Sequence, residues 1–161
     1  MNTDEAQQEI TIGVISDTHG LLRPEALAAL AGVHMIIHAG DVEDPEILTA
    51  LRRIAPLYVV RGNVDRGTWA YKLPRTVVVE AGDTSVFVIH DIEELDLDPA
   101  AAGFGAVVFG HSHRPLMEKR DGVIYLNPGA AGRKRFEQPV GMAYLKVKGE
   151  VIEAELIELD V

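Results

Sequence analysis

The feature that most constrains the fold is a repeated order of short apolar runs and helical stretches in the first part of the chain. The apolar runs cover residues 10–16, 35–38 and 57–60, and Pro24 and Pro45 stand where the two intervening helical stretches begin. Proline is favoured at the first position of a helix. The resulting β-α-β-α-β order predicts parallel strands joined by right-handed crossovers.

Beyond Trp69 the pattern changes to pairs of alternating strands around tight turns, which is typical of β-hairpins. A separate apolar run at 106–109 predicts a buried strand, and residues 99–102 predict a short helix. We therefore expect one α/β domain over residues 1–161, with parallel strands first, hairpins later and a flexible N-terminus over residues 1–9. The predicted hairpin strands cover residues 76–80 with 85–90, 116–119 with 123–126, and 141–147 with 151–159.

Residue types that bind metal ions follow many of these strands. Because ligands of parallel α/β sheets bind beyond the carboxyl ends of the strands, we expect these side chains to meet at one site. His111 and His113 stand two positions apart, so in an extended segment both can face the same side. The full set of strand-end residues is Asp17, His19, Asp41, Asn63, Asp65, His90, His111 and His113.

The donor groups are carboxylates, an amide and imidazoles, without any thiolate, because the chain contains no cysteine. Such donors suit Mn, Fe, Co, Ni or Zn better than Ca. Even without Asp65, seven ligands remain, which exceed what one such ion usually accepts. Two ions roughly 3.5–4 Å apart that share a carboxylate would use all seven. The residues therefore predict a two-metal hydrolytic site, where a bridging water loses its proton near neutral pH and attacks phosphorus.

The composition excludes several other classes of protein. The absence of cysteine excludes disulfides, thiolate catalysis and cysteine-type zinc sites. A formal net charge of −10 argues against a general nucleic-acid binder and against binding to an anionic membrane. No apolar run approaches the roughly 20 residues of a transmembrane helix, and the acidic N-terminus lacks the features of a signal peptide. We therefore expect a cytoplasmic protein.

Taken together, the motifs at the strand ends resemble those of the calcineurin-like metallophosphoesterase superfamily. The resemblance extends from about Ile12 to Gly129. It is closest to the small YfcE/MJ0936-like phosphodiesterases, to which the retromer subunit Vps29 is related. The motifs are Asp17-x-His19, Gly40-Asp41, Gly62-Asn63-x-Asp65, His90 and Gly110-His111-x-His113.

The resemblance implies a fold of two facing mixed β-sheets flanked by helices, an α/β/β/α sandwich. It also implies an enzyme that hydrolyses small phosphodiesters by attack of a metal-bridging hydroxide. Its cofactor would be two divalent ions, Mn in the first place and Ni, Fe, Co or Zn as alternatives. Asn63, Asp41 and His111 are expected to act in catalysis. The implied ligands are Asp17, His19 and His113 for one ion and Asn63, His90 and His111 for the other, with Asp41 bridging both.

Three positions depart from the family pattern. Larger members carry a histidine after the asparagine that helps to protonate the leaving group, and Val64 stands there in this chain. Asp91 follows His90 where glycine is usual, so an extra carboxylate would either tune the metal or repel an anionic substrate. Because Val64 cannot donate a proton, catalysis is expected to depend on substrates with good leaving groups or on another acid. Ala130 replaces the serine of an Asn-Pro-Gly-Ser turn.

Taken singly, several residues have simpler interpretations. Asp41 could cap the following helix, and Asn63 could occupy a turn. Asp65 is expected to lie in a turn or to orient a histidine or asparagine. His38 is expected to be a hydrogen-bonded residue of the core or beside the ligands, and His34 a surface residue.

The loop residues leave two readings open. Arg133, Lys134 and Arg135 either contact substrate phosphate or form a solvated basic loop. Trp69 and Tyr71 either line a binding face or pack a loop.

Two other functions are also considered. A Vps29-like module would bind a protein partner and keep only a vestigial metal site, although none of the seven ligand positions is replaced. A nuclease would need a local basic groove, which the acidic balance disfavours. Small members are often dimeric, so a homodimer is considered as well. The residues that could line a basic groove are Arg61, Arg66, Arg114 and Arg133.

Overall fold

The computed structural model describes residues 8–135 and 137–161, and two five-stranded β-sheets packed face to face form its centre. The flexible N-terminus expected over residues 1–9 falls largely outside the described residues. The strands of the first sheet are β1 (Ile10–Ile15), β2 (Met35–His38), β3 (Leu57–Val59), β9 (Gly141–Lys148) and β10 (Val151–Glu158). Their order in the sheet is β10-β9-β1-β2-β3.

The parallel part of the first sheet forms as the sequence predicts. β1 pairs in parallel with β2, and β2 pairs in parallel with β3. The hairpin β9–β10 extends the same sheet, because β9 runs antiparallel to β1. The carboxyl ends of β1, β2 and β3 therefore lie at one edge, where the segments that carry the candidate ligands begin.

The strands of the second sheet are β4 (Thr76–Ala81), β5 (Thr84–Ile89), β6 (Ala106–Val108), β7 (Leu116–Arg120) and β8 (Val123–Asn127). Their order in the sheet is β4-β5-β6-β8-β7. β4 and β5 form one antiparallel hairpin and β7 and β8 another, as the sequence predicts. β6 is the separate buried strand predicted at 106–109, and it lies between the two hairpins, parallel to both of its neighbours.

Few helices complete the fold. They are α1 (Pro24–Leu30), α2 (Pro45–Arg52), the short α3 (Thr68–Tyr71) and a 3-10 helix (Ile92–Glu94). Both predicted helices begin at their prolines, and the Asp44 side chain caps α2 by accepting the Glu46 backbone N–H at 2.9 Å. Among the helices that the structure describes, none is long and apolar enough to cross a membrane.

The short helix predicted for residues 99–102 is instead a hydrogen-bonded turn. The Asp98 side chain accepts the backbone N–H groups of Ala100 and Ala101, which starts a helical turn. Gly103 then adopts a φ of 83°, which ends the helical backbone after one turn.

Apolar side chains fill the space between the sheets and cover both outer faces. Alternate residues of the strands, such as Val14 of β1 and Val88 of β5, meet in the central core. Helices α1 and α2 pack on the outer face of the first sheet. On the outer face of the second sheet, Phe104 and the 3-10 helix cover Phe87 and Val107. The predicted architecture of two facing mixed sheets is confirmed.

Candidate metal centre

Two groups of metal-type side chains lie just beyond the carboxyl ends of β1, β2, β5 and β6. Within each group, the oxygen and nitrogen atoms that could bind an ion all lie within 4.8 Å of one another. The first group consists of Asp17, His19 and His113, and the second of Asp41, His90 and His111. The structure therefore brings together the side chains that the sequence analysis had singled out.

In the first group, three buried side chains converge. Asp17 Oδ1 lies 3.3 Å from His113 Nε2 and 3.6 Å from His19 Nε2, and these two nitrogens are 3.1 Å apart. Asp17 Oδ1 is buried and has no hydrogen-bond partner among the described residues. Asp17 Oδ2 accepts hydrogen bonds from the Ser16 hydroxyl at 2.6 Å and the His111 backbone N–H at 3.1 Å. One oxygen thus anchors Asp17 while the other faces two imidazoles.

In the second group, an amide oxygen joins the carboxylate and the imidazoles. Asn63 Oδ1 lies 3.0 Å from His90 Nε2 and 3.1 Å from His111 Nδ1. The His90 Nδ1 atom is 2.7 Å from the carbonyl oxygen of Ala39, which leaves Nε2 facing the group. The His111 side chain is 45% exposed, so this group borders solvent.

Asp41 belongs to the second group but also faces the first. Its Oδ1 accepts the Val64 backbone N–H at 3.1 Å, whereas its Oδ2 lies 3.1 Å from His90 Nε2 and 3.7 Å from His19 Nε2. A single oxygen therefore faces a nitrogen of each group, as a bridging carboxylate would. The alternative that Asp41 caps the following helix is wrong, because Asp44 is the cap.

Asp65 belongs to neither group but fixes the loops that carry them. Its Oδ2 accepts the backbone N–H groups of Asp41 at 3.0 Å and Gly62 at 2.8 Å, and its Oδ1 accepts that of Glu43 at 2.8 Å. Burial raises the pKa of Asp65 above its ordinary value. The expected supporting role is confirmed, but Asp65 orients the Asp41 backbone rather than a histidine or an asparagine.

His38 is confirmed as a hydrogen-bonded core residue. It is fully buried, its Nδ1 accepts the Gly40 backbone N–H at 3.1 Å, and its Nε2 lies 3.0 Å from Thr18 Oγ1. Because Nδ1 accepts, Nε2 carries the proton and donates to Thr18. The Thr18 hydroxyl in turn donates to the Val42 carbonyl at 3.2 Å. Burial lowers the pKa of His38 to about 4, so the neutral ring joins the loops after β1 and β2. His34, as expected, is exposed.

Six residues at or beside the candidate centre adopt a left-handed backbone. For a residue with a side chain this conformation costs on the order of 1–3 kcal/mol, and it clusters at functional sites. Backbone hydrogen bonds hold the strained segments together: the N–H of Asp17 donates to Gly40 at 2.9 Å, and that of His19 donates to Asp41 at 3.0 Å. The left-handed residues are Asp17, His19, Asp41, Glu43, His111 and His113, with φ between 45° and 70°.

Two motif glycines are required because other atoms lie where a side chain would be. A Cβ atom on Gly62 would overlap Asp41 Oδ1 and the Asp41 backbone nitrogen. A Cβ atom on Gly110 would overlap Ser16 Oγ and Asp17 Oδ2. The loops after β3 and β6 can approach the carboxylates only because neither residue has a side chain.

The Asn127-Pro128-Gly129 turn supports the loop that carries the two histidines. The Asn127 side-chain amide donates to the Gly110 carbonyl at 3.0 Å and to Ser112 Oγ at 3.1 Å. Its Oδ1 accepts the Gly129 backbone N–H at 2.9 Å. Asn127 is fully buried, so it fixes this loop from the core side.

Glu43 was missed by the sequence analysis. Its Oε1 lies 2.7 Å from His19 Nδ1, the ring nitrogen opposite the one that faces Asp17. A carboxylate on the distal nitrogen fixes the tautomer and the orientation of a ligating histidine. The only signal in the sequence was an acidic residue two positions after Gly40-Asp41.

The buried charges alter the protonation of the centre. Burial opposes ionisation of Asp17, but the close contacts of its Oδ1 with the His113 and His19 rings outweigh it and hold the pKa of Asp17 well below its usual range. The same contact with Asp17 raises the pKa of His19. Burial also acts to lower the pKa of His90, yet the hydrogen bond to Asp41 and the charge of Asp17 raise it to about 9. A metal ion would therefore displace protons on binding.

Two positions beside the candidate ligands, Val64 and Asp91, depart from the family pattern. Val64 provides only a backbone N–H to Asp41 Oδ1, and its side chain cannot move a proton. Asp91 Oδ2 lies 3.9 Å from His111 Nε2, and its Oδ1 accepts the Glu93 backbone N–H at 3.0 Å. Asp91 thus contacts the ring edge of a candidate ligand and caps the 3-10 helix.

The loop residues that the sequence left undecided fall into two kinds. Arg133 Nε donates to the His19 carbonyl at 3.4 Å, so this arginine is bonded to the loop after β1. Trp69 packs against the core beside α1 and α2. Tyr71 is 67% exposed, and the guanidinium carbon of Arg61 lies 5.6 Å from the centre of its ring.

The donors present fit a pair of divalent ions. A buried carboxylate oxygen without a hydrogen-bond partner faces two imidazoles at Asp17, and a second carboxylate oxygen faces both groups at Asp41. Isolated buried polar atoms are costly, so this convergence is best explained by cations that the side chains would coordinate.

The chain resembles known proteins over most of its length. Residues 10–150 match the model of the calcineurin-like phosphoesterase superfamily domain. A probable metallophosphoesterase of Methanothermobacter thermautotrophicus is 36% identical over 158 residues, which cover 91% of this chain and 91% of the relative.

Solved structures share the fold at lower identity. Vacuolar protein sorting 29 from Cryptosporidium parvum superposes with a TM-score of 0.81 at 20% identity, covering 94% of this chain and 92% of that one. YfcE, a phosphoesterase from E. coli, superposes with a TM-score of 0.68 at 20% identity, covering 92% of this chain and 100% of that one.

The two facing sheets and the histidine–aspartate centre at their strand ends define a class of metal-binding phosphoester hydrolases. Within that class, the chain belongs to the calcineurin-like phosphoesterase superfamily. The resemblance drawn from the five motifs is confirmed.

Proposed function

We propose that the protein is a phosphodiesterase that uses two divalent metal ions to hydrolyse small phosphodiesters. The observation that carries this proposal is the position of Asp41 Oδ2, 3.1 Å from His90 Nε2 and 3.7 Å from His19 Nε2. Two separate three-residue groups that are linked by one carboxylate oxygen are suited to two ions rather than one.

One ion would be held by the first group and the other by the second, with the Asn63 amide oxygen added to the second. When bound, two such ions lower the pKa of a water and neutralise negative charge that develops at phosphorus. We propose Mn²⁺ as the native ion, with Ni, Fe, Co or Zn as alternatives, since oxygen and imidazole donors accept all of them. The proposed ligands are Asp17, His19, Asp41, Asn63, His90, His111 and His113.

The protein's own residues define which substrates can react. The His111 ring is 45% exposed, so substrate would reach the centre from its side. The Val64 side chain cannot donate a proton, so the leaving group must depart with little protonation. We therefore expect activated esters, such as nitrophenyl esters, to react much faster than alkyl esters.

The test is the metal content of the purified protein together with hydrolysis of bis(p-nitrophenyl) phosphate, with and without added Mn²⁺. Close to two ions per chain and metal-dependent turnover would support the proposal. Asp41→Asn should lower kcat/KM by at least about 100-fold, on the scale of losing an essential electrostatic contact. Asp44→Asn is the matched control, because asparagine also caps a helix and the centre is left intact.

The alternative is a Vps29-like module that binds a protein partner and has little or no catalysis. The similarity to Vps29 supports a common fold, and the seven candidate ligands retained in this chain favour the enzyme. A protein that stays inert with every metal, and is unaffected by Asp41→Asn, would favour the module.

A further inference from the structure

A small cleft opens beside the second group of candidate ligands. Its volume is about 80 Å³. The cleft continues from the candidate centre, so a substrate bound there could extend one substituent into it. Its side-chain lining comprises Asn63, His90 and Asp91 beside the centre and Arg61, Arg75 and Glu94 beyond it.

Two arginines meet in this cleft because the backbone joins their segments. The Arg61 backbone N–H donates to the Pro74 carbonyl at 2.8 Å, which links the loop after β3 to the residue before Arg75. The Arg61 guanidinium also lies over the Tyr71 ring, with 5.6 Å between its carbon and the ring centre. Such stacking orients a guanidinium without using its hydrogen-bond donors.

The positive charge of these arginines is little compensated. Within the described residues, the Arg61 guanidinium has no carboxylate oxygen within 4.0 Å. The Arg75 guanidinium has one such contact, from Nη1 to Glu94 Oε2 at 3.9 Å. The side chains of Arg75 and Glu94 are both more than half exposed. An exposed ion pair of this kind contributes about 0–1 kcal/mol, so a ligand anion can replace Glu94. Asp91, the other acid, is engaged by the Glu93 N–H and lies near His111.

We propose that the cleft binds an anionic group at the end of one ester arm of the substrate. The preferred substrates would then be small phosphodiesters with a carboxylate or a second phosphate on a short arm. This inference rests on the proposed function, because it names the substrate class of the same centre. Guanidinium groups recognise carboxylate and phosphate with the same paired hydrogen bonds, so the cleft would accept both.

Matched substrates test the proposal without any variant. We would compare p-nitrophenyl phosphodiesters whose second arm is ethyl, 2-carboxyethyl, 2-phosphoethyl or 2-aminoethyl, so that the leaving group is constant. Charge-assisted hydrogen bonds predict a kcat/KM about tenfold or more higher for the two anionic arms than for ethyl, through a lower KM. Equal rates for ethyl and the anionic arms would overturn the proposal. A preference for the aminoethyl arm would also overturn it, and would assign the cleft to a cation through Asp91 and Glu94.

Variants show whether the arginines cause the preference. In the double variant Arg61→Gln/Arg75→Gln, the ratio of carboxyethyl to ethyl rates should fall close to one. Arg75→Gln alone should lower the ratio in part. Arg53→Gln, which removes an exposed arginine at the end of α2, should keep the full ratio. A ratio that survives in the double variant would contradict the assignment.

A binding measurement separates this proposal from the proposed function. Calorimetry would compare 2-carboxyethylphosphonate with propylphosphonate on the metal-loaded protein. Tighter binding of the carboxylate ligand by about tenfold, lost in the double variant, would support the cleft even if no ester were hydrolysed. Hydrolysis of all the esters without a preference would instead uphold the phosphodiesterase and reject the cleft.

Discussion

At the scale of single residues, the centre depends on side chains that hold other side chains. His19 faces Asp17 with Nε2 and Glu43 with Nδ1, so its orientation is fixed from both ends. Asp41 is fixed in the same way, by Asp65 at its backbone and by Val64 at Oδ1. The freedom that these residues would lose on binding an ion is therefore already lost in the folded protein.

Glu43→Gln tests this positioning directly. The amide keeps the size of the side chain but loses the negative charge beside His19 Nδ1. We expect metal affinity to fall by about 10–100-fold, the usual effect of removing a carboxylate behind a ligating histidine. Calorimetric titration with Mn²⁺ or Zn²⁺ measures this affinity.

Glu150→Gln, in an exposed position of the β9–β10 turn, is the control and should leave the titration unchanged. An unchanged affinity in Glu43→Gln would show that Asp17 alone orients His19.

The protonation of His90 predicts how pH affects the metal-free protein. Its pKa is raised to about 9 in the folded state by Asp41 and Asp17, against about 6.5 in an unfolded chain. A raised pKa stabilises the fold fully below pH 6.5, and this stabilisation is lost as pH rises through 9. In the presence of a chelator, we expect the free energy of unfolding to fall by on the order of 2–3 kcal/mol between these pH values.

Chemical denaturation at a series of pH values provides the measurement. The decrease should be smaller in Asp41→Asn, which removes the negative charge 3.1 Å from His90 Nε2. With saturating metal the direction should reverse, because metal binding needs a deprotonated imidazole. A pH-independent free energy in the metal-free protein would show that His90 is neutral there.

The sequence predicted the candidate ligands and a supporting role for Asp65, but not Glu43 and not the contacts that hold the ligands in place. Ligands could be predicted because Asp, Asn and His directly follow apolar runs in familiar spacings. The role of Glu43 could not be predicted, because its contact with His19 depends on a left-handed backbone with φ of 65°, which no sequence pattern indicates. The backbone bonds of Asp65 are equally invisible in the sequence, since they join loops after two different strands.

At the scale of elements, the loops after β1, β2, β3 and β6 fit together with no spare space. Gly110 begins the loop that carries both histidines, and a side chain there would overlap Asp17. Asn127 fixes the same loop from the other side. The position of this loop therefore depends on contacts between elements far apart in the sequence.

Gly110→Ala should move the histidine loop away from β1. We expect a loss of stability of about 1–3 kcal/mol from overpacking, together with loss of metal binding to the Asp17 group. Denaturation and metal titration would measure the two effects.

Gly122→Ala is the matched control, because Gly122 has a positive φ of 81° but no atoms within 4 Å of a new Cβ. It should cost about 1–2 kcal/mol for its backbone conformation and leave metal binding intact. Normal metal binding in Gly110→Ala would show that the loop can relax.

Most strands and the first two helices were predictable from the sequence, whereas the sheet order was not. Alternation and proline positions depend on local sequence, so Pro24 and Pro45 mark the starts of α1 and α2 correctly. The parallel pairing of β6 with β8 depends on packing between distant segments. The short α3 lacks the regular spacing of apolar residues that predicts a helix. It depends instead on the packing of Trp69 against the core.

At the scale of the whole molecule, each group of candidate ligands joins the two sheets. Asp17 and His19 follow a strand of the first sheet, and His113 follows a strand of the second. In the other group, Asp41 follows a strand of the first sheet, whereas His90 and His111 follow strands of the second. Bound ions would therefore connect the halves of the molecule.

Metal removal should accordingly destabilise the whole fold. A ligand present at 100 times its Kd stabilises a protein by about 2.7 kcal/mol. We expect the Tm to rise by several degrees on adding Mn²⁺ and to fall on adding EDTA, in one cooperative transition. The double variant His111→Ala/His113→Ala should lose most of this shift, whereas His34→Ala, on the surface, should keep it. A Tm that does not respond to metal would contradict the proposed centre.

The position of β9 between β10 and β1 affects how the chain folds during synthesis. On the ribosome, β1 to β3 emerge early, and β1 then has a free hydrogen-bonding edge until residues 141–148 emerge. An apolar strand with an open edge is prone to pair with other chains, so the nascent protein needs protection during this interval. Four of the seven candidate ligands precede residue 64, yet β1, which Asp17 and His19 follow, gains its second neighbouring strand only after residues 141–148 have emerged.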